Sequence, residues 1–343
     1  MQAADRLYHD LTAAFGDALN AKWGNPSRHP HPQSQAWENN PLSSFAEYCG
    51  KRAFDSRGDT MERNSLAVMG HGMVTGDFQN AFATAAHRLA TKKYEGFSDH
   101  LRICSEVPVN DFKTVKVFTA DLDDDLQPVG DTGQIHNSSG WDVGASASLS
   151  SFVRLMNVSR QIVINDDLDV LKNYLSALGA AAGKKEGAMV SATLESNALL
   201  SDGAAMFGTA NIVASALSAT TLDAAMGLLR DQKNAAGNKA NNKLYALVTA
   251  SGMELNAASI LHYAGLDSVI RICLPWLPAG RWFAMADPML APVVGRLLLK
   301  GSTTPISVGP VKREIGADYF SLKGYADLGV VAIGRLGVVK GGS

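Results

Sequence analysis

Residues 149–168 read LSSFVRLMNVSRQIVINDDL. As far as Ile164 the run is rich in β-branched, aromatic and aliphatic side chains, broken only by single polar residues, which is the composition of a strand. At Asn165-Asp166-Asp167 it stops. Short polar side chains of this kind accept hydrogen bonds from the free N–H groups at a helix start. Beyond them Leu168, Leu171, Tyr174, Leu175 and Leu178 are spaced for one helical face. The reading is therefore a strand to Ile164, a capping turn, and a helix running to about Ala198. Gly179, Gly183 and Gly187 fall inside that helix at four-residue spacing. Each interior glycine costs about 1 kcal/mol relative to alanine, so the line needs a reason. Either another backbone comes close along it, or the helix breaks or bends near Gly183.

Moving toward the N-terminus, Asp111 to Ala120 (DFKTVKVFTA) is again strand-like. Between the two strands lies a long polar excursion with Asp121, Asp123, Asp124 and Asp125 at its near end. Two strands around such an excursion make an extended hairpin, and a connection this long either has a function or packs against another chain. Further back, Leu7, Leu11, Phe15, Leu19 and Trp23 recur every four residues and mark an amphipathic helix. Asn25 to Pro41 holds four prolines and should be an extended strap unable to pack by itself. Short helices follow at Leu42 to Phe54 and from Asp77, a plausible cap. Three helical pieces on a strap read as an arm that packs on something else.

Toward the C-terminus the types alternate. Thr221 to Lys233 is helical with Thr220 or Thr221 as cap, Leu244 to Ala250 a strand, Glu254 to Tyr263 a helix. Val269 to Leu274 and Trp282 to Ala286 are strands, Leu290 to Leu299 a mixed apolar run, and Ile306 to Val339 several strands. Asn234 to Asn242 is a polar surface loop. The class is α+β.

The chain has 343 residues, with 31 Lys+Arg against 33 Asp+Glu, a net charge of -2 and a pI near 6.4. That balance excludes a generally basic protein that coats nucleic acid. Charged residues are only 19%, against about 25% in typical domains. So few charges on so long a chain suggest surface buried against other chains. Three scattered cysteines make neither a disulfide framework nor a cysteine-rich zinc site. The N-terminus lacks the pattern of a secretory signal and no stretch has the length of a membrane span, so a non-exported, soluble protein is expected.

No catalytic, cofactor or metal site stands out in the sequence. Gly179 to Lys185 misses the phosphate-loop spacing and lacks its Ser/Thr. No nucleophile elbow or HExxH occurs. His29 and His31 sit among prolines with no carboxylate beside them. Asp121, Asp123 and Asp125 alternate as in a calcium loop, but Leu126 and Thr132 stand where glycine and glutamate are needed. His71 and His262 have no adjacent partners and read as structural.

Ser159 to Leu168 (SRQIVINDDL) resembles a segment of tailed-bacteriophage major capsid proteins with the Hong Kong 97 fold. The nearest group is the one that can be fused to a ClpP-like prohead protease, related to Mu-like major head subunits. Asp77-Phe78, Leu200-Ser201-Asp202-Gly203, Met206-Phe207, Ala286-Asp287-Pro288 and Gly324 to Val330 are similar too and occur in the family's order. The resemblance implies an N-terminal arm or removable scaffolding segment over 1–76 and a peripheral domain beginning at 77–110. It further implies an extended loop at 111–160, a spine helix within 161–199 and an axial domain at 200–302. Peripheral strands at 303–327 and a C-terminal strand at 328–343 returning to the axial domain complete it. The function implied is self-assembly of pentamers and hexamers into an icosahedral head around double-stranded DNA, in a virion built in the bacterial host cytoplasm. Portal, scaffold, maturation protease and decoration proteins are the implied partners, with no enzyme activity, cofactor, metal or membrane. The expected inter-subunit contacts are Leu7, Leu11, Phe15, Leu19 and Trp23, docking on a neighbour, and Asp121, Asp123, Asp124 and Asp125, meeting a basic patch such as Lys184 and Lys185. The alternatives are a scaffold or decoration protein, or a hydrolase with a dispersed site.

Overall fold

The computed structural model describes residues 13–55, 73, 75–117, 119–122, 140–143, 145–200, 202–234, 237–311 and 319–342. The chain divides into two compact units, each discontinuous in sequence. Met1–Phe97, Ser151–Gly183 and Thr304–Ala326 form the first; Ser98–Ser150, Lys184–Thr303 and Asp327–Ser343 form the second.

In the first unit a helix runs through residues 13–22 (α1). It is followed by α2 (Ser34–Glu38), α3 (Leu42–Asp55) and α4 (Gly76–Glu95). The N-cap of α4 is Thr75 rather than Asp77, its hydroxyl accepting from the Phe78 N–H at 3.5 Å. A three-stranded sheet has β12 (Ile306–Val311) and β6 (Ser150–Ser159) on either side of β13 (Tyr319–Leu328).

The stretch that opened the reading folds differently from expectation at its centre. Strand β6 ends at Ser159, whose hydroxyl accepts from the Ile162 N–H and starts a short helix, α5 (Arg160–Ile164). Turning the chain there lets Val163 enter the core. The long helix α6 (Leu168–Glu195) follows and is unbroken over 28 residues. Between them Asp166 takes a left-handed φ of 53°. Its carboxylate accepts from the Leu42 N–H at 2.9 Å, 124 residues away, so this acid of the capping turn caps α3. Lys22 lies 4.0 Å from its other oxygen. The glycine line also resolves. A Cβ on Gly179 would run into the Ala90 carbonyl oxygen of α4 and lie 3.0 Å from the Lys93 Cβ, so this glycine answers to close helix approach; at Gly187 a Cβ would instead meet the Trp276 ring, and the helix does not break.

The N-terminal segment is not the unpackable strap expected. Phe15 stacks on Phe45 at 3.6 Å, Trp37 of α2 meets Phe45 edge-on at 5.3 Å, and Trp23 meets Phe82 at 5.7 Å. The Asp17 carboxylate, itself buried, accepts from the His31 N–H at 2.8 Å and pairs with Arg88, tying the proline stretch to α4. Phe15, Leu19 and Trp23 were expected to dock on an adjacent subunit. Each is at most 3% exposed, covered by the chain's own α3, α4 and β13. The partners missing from the strap are supplied by elements distant in sequence. Losing a helix cap costs about 1 kcal/mol, so Asp166→Ala should lower unfolding free energy by that much and hasten protease cleavage between α1 and α3. Unchanged digestion kinetics would refute the pin.

In the second unit a 3₁₀ turn (Asp99–Ile103) leads into β1 (Cys104–Val109), which pairs in parallel with β11 (Val294–Leu299); β14 (Val330–Ala332) lies antiparallel on the other side of β11. A five-stranded sheet has the order β7 (Ile212–Val213), β15 (Val338–Gly341), β10 (Trp282–Met285), β8 (Ala246–Thr249), β9 (Ile270–Cys273). Its central strands β8 and β10 are buried at every position, which is why they read as unbroken apolar runs. Helices α7 (Ala219–Asp231) and α8 (Glu254–Tyr263) pack with this sheet. The cap of α7 is Ser218, forming a capping box with Thr221. The hairpin forms with a different return leg from the one expected: residues 149–164 do not supply it, because β6 pairs with β13 in the first unit's sheet. Strands β2 (Val115–Lys116) and β3 (Thr119–Leu122) pair antiparallel with β5 (Ser146–Ala147) and β4 (Gly140–Val143), in one register from Val115↔Ala147 to Leu122↔Gly140.

Candidate interaction surfaces

The hairpin is the most acidic part of the chain. From Val117 to Val153 there are six Asp and no Lys, Arg or Glu. Asp121 falls in β3 opposite Trp141, whereas Asp123, Asp124 and Asp125, like Leu7 and Leu11, lie outside the described residues. Lys184 and Lys185 are exposed on α6.

Two apolar surfaces escaped the sequence reading. In the first unit the opening half of β6 is exposed on both faces, with Val153 and Leu155 about half exposed. Beside it on α6 stand Val170 and Tyr174. The Tyr174 hydroxyl donates to the Leu155 carbonyl at 2.9 Å and the Arg154 guanidinium lies 5.9 Å from its ring. Strand and helix thereby form one patch. In the second unit Leu255, Tyr263, Met289 and Leu290 are each more than 80% exposed. Strand alternation would have found Val153 and Leu155 only if it were known which half of β6 the core covers.

No arrangement equipped for chemistry appears among the described residues. Ser259, His262 and Asp267 line a cavity of about 400 Å³, with His262 Nδ1 3.1 Å from Asp267. The Ser259 hydroxyl, however, donates to the Leu255 carbonyl at 2.9 Å, so its proton is committed within the helix and not to the imidazole. Burial pushes the Cys49 thiol up to about 12, and burial together with Glu254 does the same to Cys273, which disfavours the thiolate at both. Burial also raises Cys104. Among the described residues no group of three or more His, Cys, Asp or Glu could hold a metal ion, and no helix is long and apolar enough to cross a membrane. His71 lies outside the described residues.

Residues 144–341 match the family described as phage capsid protein. The chain belongs to that family. The match runs from the return leg of the hairpin through β6, α6 and the whole of the second unit's five-stranded sheet to Gly341. The role of a capsid protein is structural, and its place is the phage capsid. No curated protein matches the sequence. Among solved structures, the capsid protein is similar to the virus-like particle from Pyrococcus furiosus, with 10% identity, 76% of this chain and 98% of that chain covered, and a TM-score of 0.46. It is similar to the head of Helicobacter pylori bacteriophage KHP40 (10%, 71% and 91%, TM-score 0.47). It is also similar to a phage-related protein from Bordetella bronchiseptica RB50 (12%, 74% and 95%, TM-score 0.47). At such identities and scores the family membership rests on the sequence match. The capsid protein's α+β class is as the sequence reading expected.

Proposed function

We propose that the capsid protein is the major head subunit of a tailed phage. It assembles as pentamers and hexamers into an icosahedral shell of the Hong Kong 97 type and encloses double-stranded DNA. The observation that carries this reading is the capsid-family match over residues 144–341, which spans the long helix and the whole of the second unit's five-stranded sheet. In this reading the five-stranded unit is the axial domain, the helix-and-sheet unit the peripheral domain with α6 as spine, and the hairpin the loop that reaches a neighbour. Portal, scaffold, maturation protease and decoration proteins are its companions. The assembly energy is spread over many modest interfaces, each contributing little alone and much in a closed shell.

The acidic hairpin end supplies one such contact. Negative-stain microscopy of the protein expressed alone is expected to show closed shells, and replacing Asp121, Asp123, Asp124 and Asp125 together by Asn should reduce their yield. A small monodisperse oligomer in place of shells would overturn the head-subunit reading and favour a scaffold or decoration protein. Normal shells from the Asn variant would remove the hairpin contact alone.

A further inference from the structure

The loop after α7 is built as a cationic finger. Between Arg230 and Lys243 the chain carries four cations and one carboxylate, which leaves a net -5 on the remainder of a chain whose total is -2. Arg230, Lys233, Lys239 and Lys243 are all exposed. The finger is held in shape. Lys233 and Lys239 face each other across an antiparallel bridge, the Asn234 N–H donates to the Asn238 carbonyl at 2.9 Å, and Gly237 makes the tip at φ 92°. Lower down, the Ala240 N–H donates to the Gln232 carbonyl at 2.7 Å and the Asn241 N–H to the Arg230 carbonyl at 3.0 Å. The base is bolted to the sheet: the buried Gln232 side chain donates to the Val338 carbonyl at 2.9 Å and accepts from the Gly337 N–H at 2.7 Å. Asp231 pairs with Lys239 at 2.6 Å, and that contact holds its carboxyl below the usual range. No carboxylate lies within ion-pair distance of Arg230, Lys233 or Lys243 among the described residues. Beside the finger a cavity of about 310 Å³ is lined by Gly208 to Asn211, Lys233 and Arg335, the last paired with Asp202.

We infer that this finger contacts the phosphate backbone of nucleic acid without reading its sequence. The inference rests on the proposed head-subunit reading, because an enclosed duplex is what would bring phosphates to it. A rigid display of Lys and Arg among polar Asn residues is the usual composition of phosphate contacts. The rival occupant is the acidic hairpin of a second copy. Against it, none of the large exposed apolar side chains falls on the finger, whereas contacts between protein copies are built around an apolar centre.

The test is binding of a short random-sequence duplex to the free subunit, followed by fluorescence anisotropy over a range of salt concentrations. The slope of log affinity against log salt should shrink by about one for each lysine removed in Lys233→Gln, Lys239→Gln, Lys243→Gln. Asp231→Asn removes the finger's one carboxylate and should tighten binding, an effect that misfolding would not mimic. An unchanged slope in the triple variant, or no binding by the wild type, overturns the inference. So does a peptide of residues 117–143 that binds the wild-type chain and not the triple variant while the duplex binds both alike. Shells of the triple variant should still form. Their loss with duplex binding intact would reassign the finger to a contact between copies. Wild-type chains that bind the duplex and form no shells would count against the head-subunit reading and leave the finger standing.

Discussion

Gly179→Ala should destabilise the first unit by about 3 kcal/mol, although alanine is the better helix former by about 1 kcal/mol. Two effects of opposite sign meet at this position. Removing a glycine from the interior of α6 lowers the conformational entropy of the unfolded chain and favours folding. The added methyl, however, would occupy the place of the Ala90 carbonyl oxygen and sit 3.0 Å from the Lys93 Cβ. Both obstacles are fixed parts of α4 and neither can swing aside as a side-chain end would. Relief requires α4 and α6 to separate, and α4 carries Phe78, Phe82 and Leu89 into the same core as Phe15 and Phe45. The steric term therefore wins. Gly227→Ala on α7 is the matched control, since nothing lies within 4 Å of the position its Cβ would take; there the propensity gain of about 1 kcal/mol should appear undiminished. Urea unfolding of both variants gives the comparison. Equal behaviour of the two would show that α4 and α6 are not in contact at Gly179.

The glycine line illustrates how far sequence reading reaches in this chain. Spacing alone flags that something must approach α6, because the cost of three interior glycines is local and known. What approaches is not local: Ala90 is nearly ninety residues away in sequence and has no motif of its own. Elements whose evidence is periodic were legible, as with α8, whose expected and observed limits coincide at Glu254 and Tyr263, and with the buried runs of β8 and β10. Boundaries set by a single side chain were not. Ser159 cuts β6 short of Ile164, Thr75 and Ser218 take the caps assigned to their neighbours, and Asp166 serves a helix from another part of the chain. The same blindness misplaced the N-terminal stripe. A strap of prolines offers no partners by itself, but folded back through Asp17 and Trp37 it lets Phe15, Leu19 and Trp23 find partners within the chain. Strand β1 carries no alternation strong enough to be read, because its pairing with β11 joins residues about 190 positions apart.

His100→Ala should cost the second unit on the order of 3–5 kcal/mol, the range found when one member of a buried pair is removed. His100 Nε2 lies 3.0 Å from Glu186 Oε2, and the two side chains are 2% and 1% exposed. The pair joins the 3₁₀ turn before β1 to the later half of α6, with both side chains buried. Trp276 packs across Gly187, where a Cβ would come within 2.7 Å of its ring and 3.3 Å of His100 Nδ1. The buried thiol of Cys104 is near enough to the Glu186 charge to be raised by it, after the larger effect of burial. Alanine at 100 therefore takes a hydrogen-bonding nitrogen from a carboxyl that water cannot reach, and leaves an imidazole-sized void beside Trp276. The two costs differ in kind, and a second variant separates them. Combining His100→Leu with Glu186→Met removes both polar groups and keeps the volume, and replacing a buried pair in this way is often neutral. If the polar loss dominates, the double variant should recover most of the stability lost by His100→Ala; if the void dominates, His100→Leu alone should do so. A His100→Ala subunit that unfolds within about 1 kcal/mol of the wild type would mean the pair contributes no more than an ordinary hydrogen bond, and the link between the 3₁₀ turn and α6 would then rest on Ile103, Val190 and Leu194 of the shared core alone.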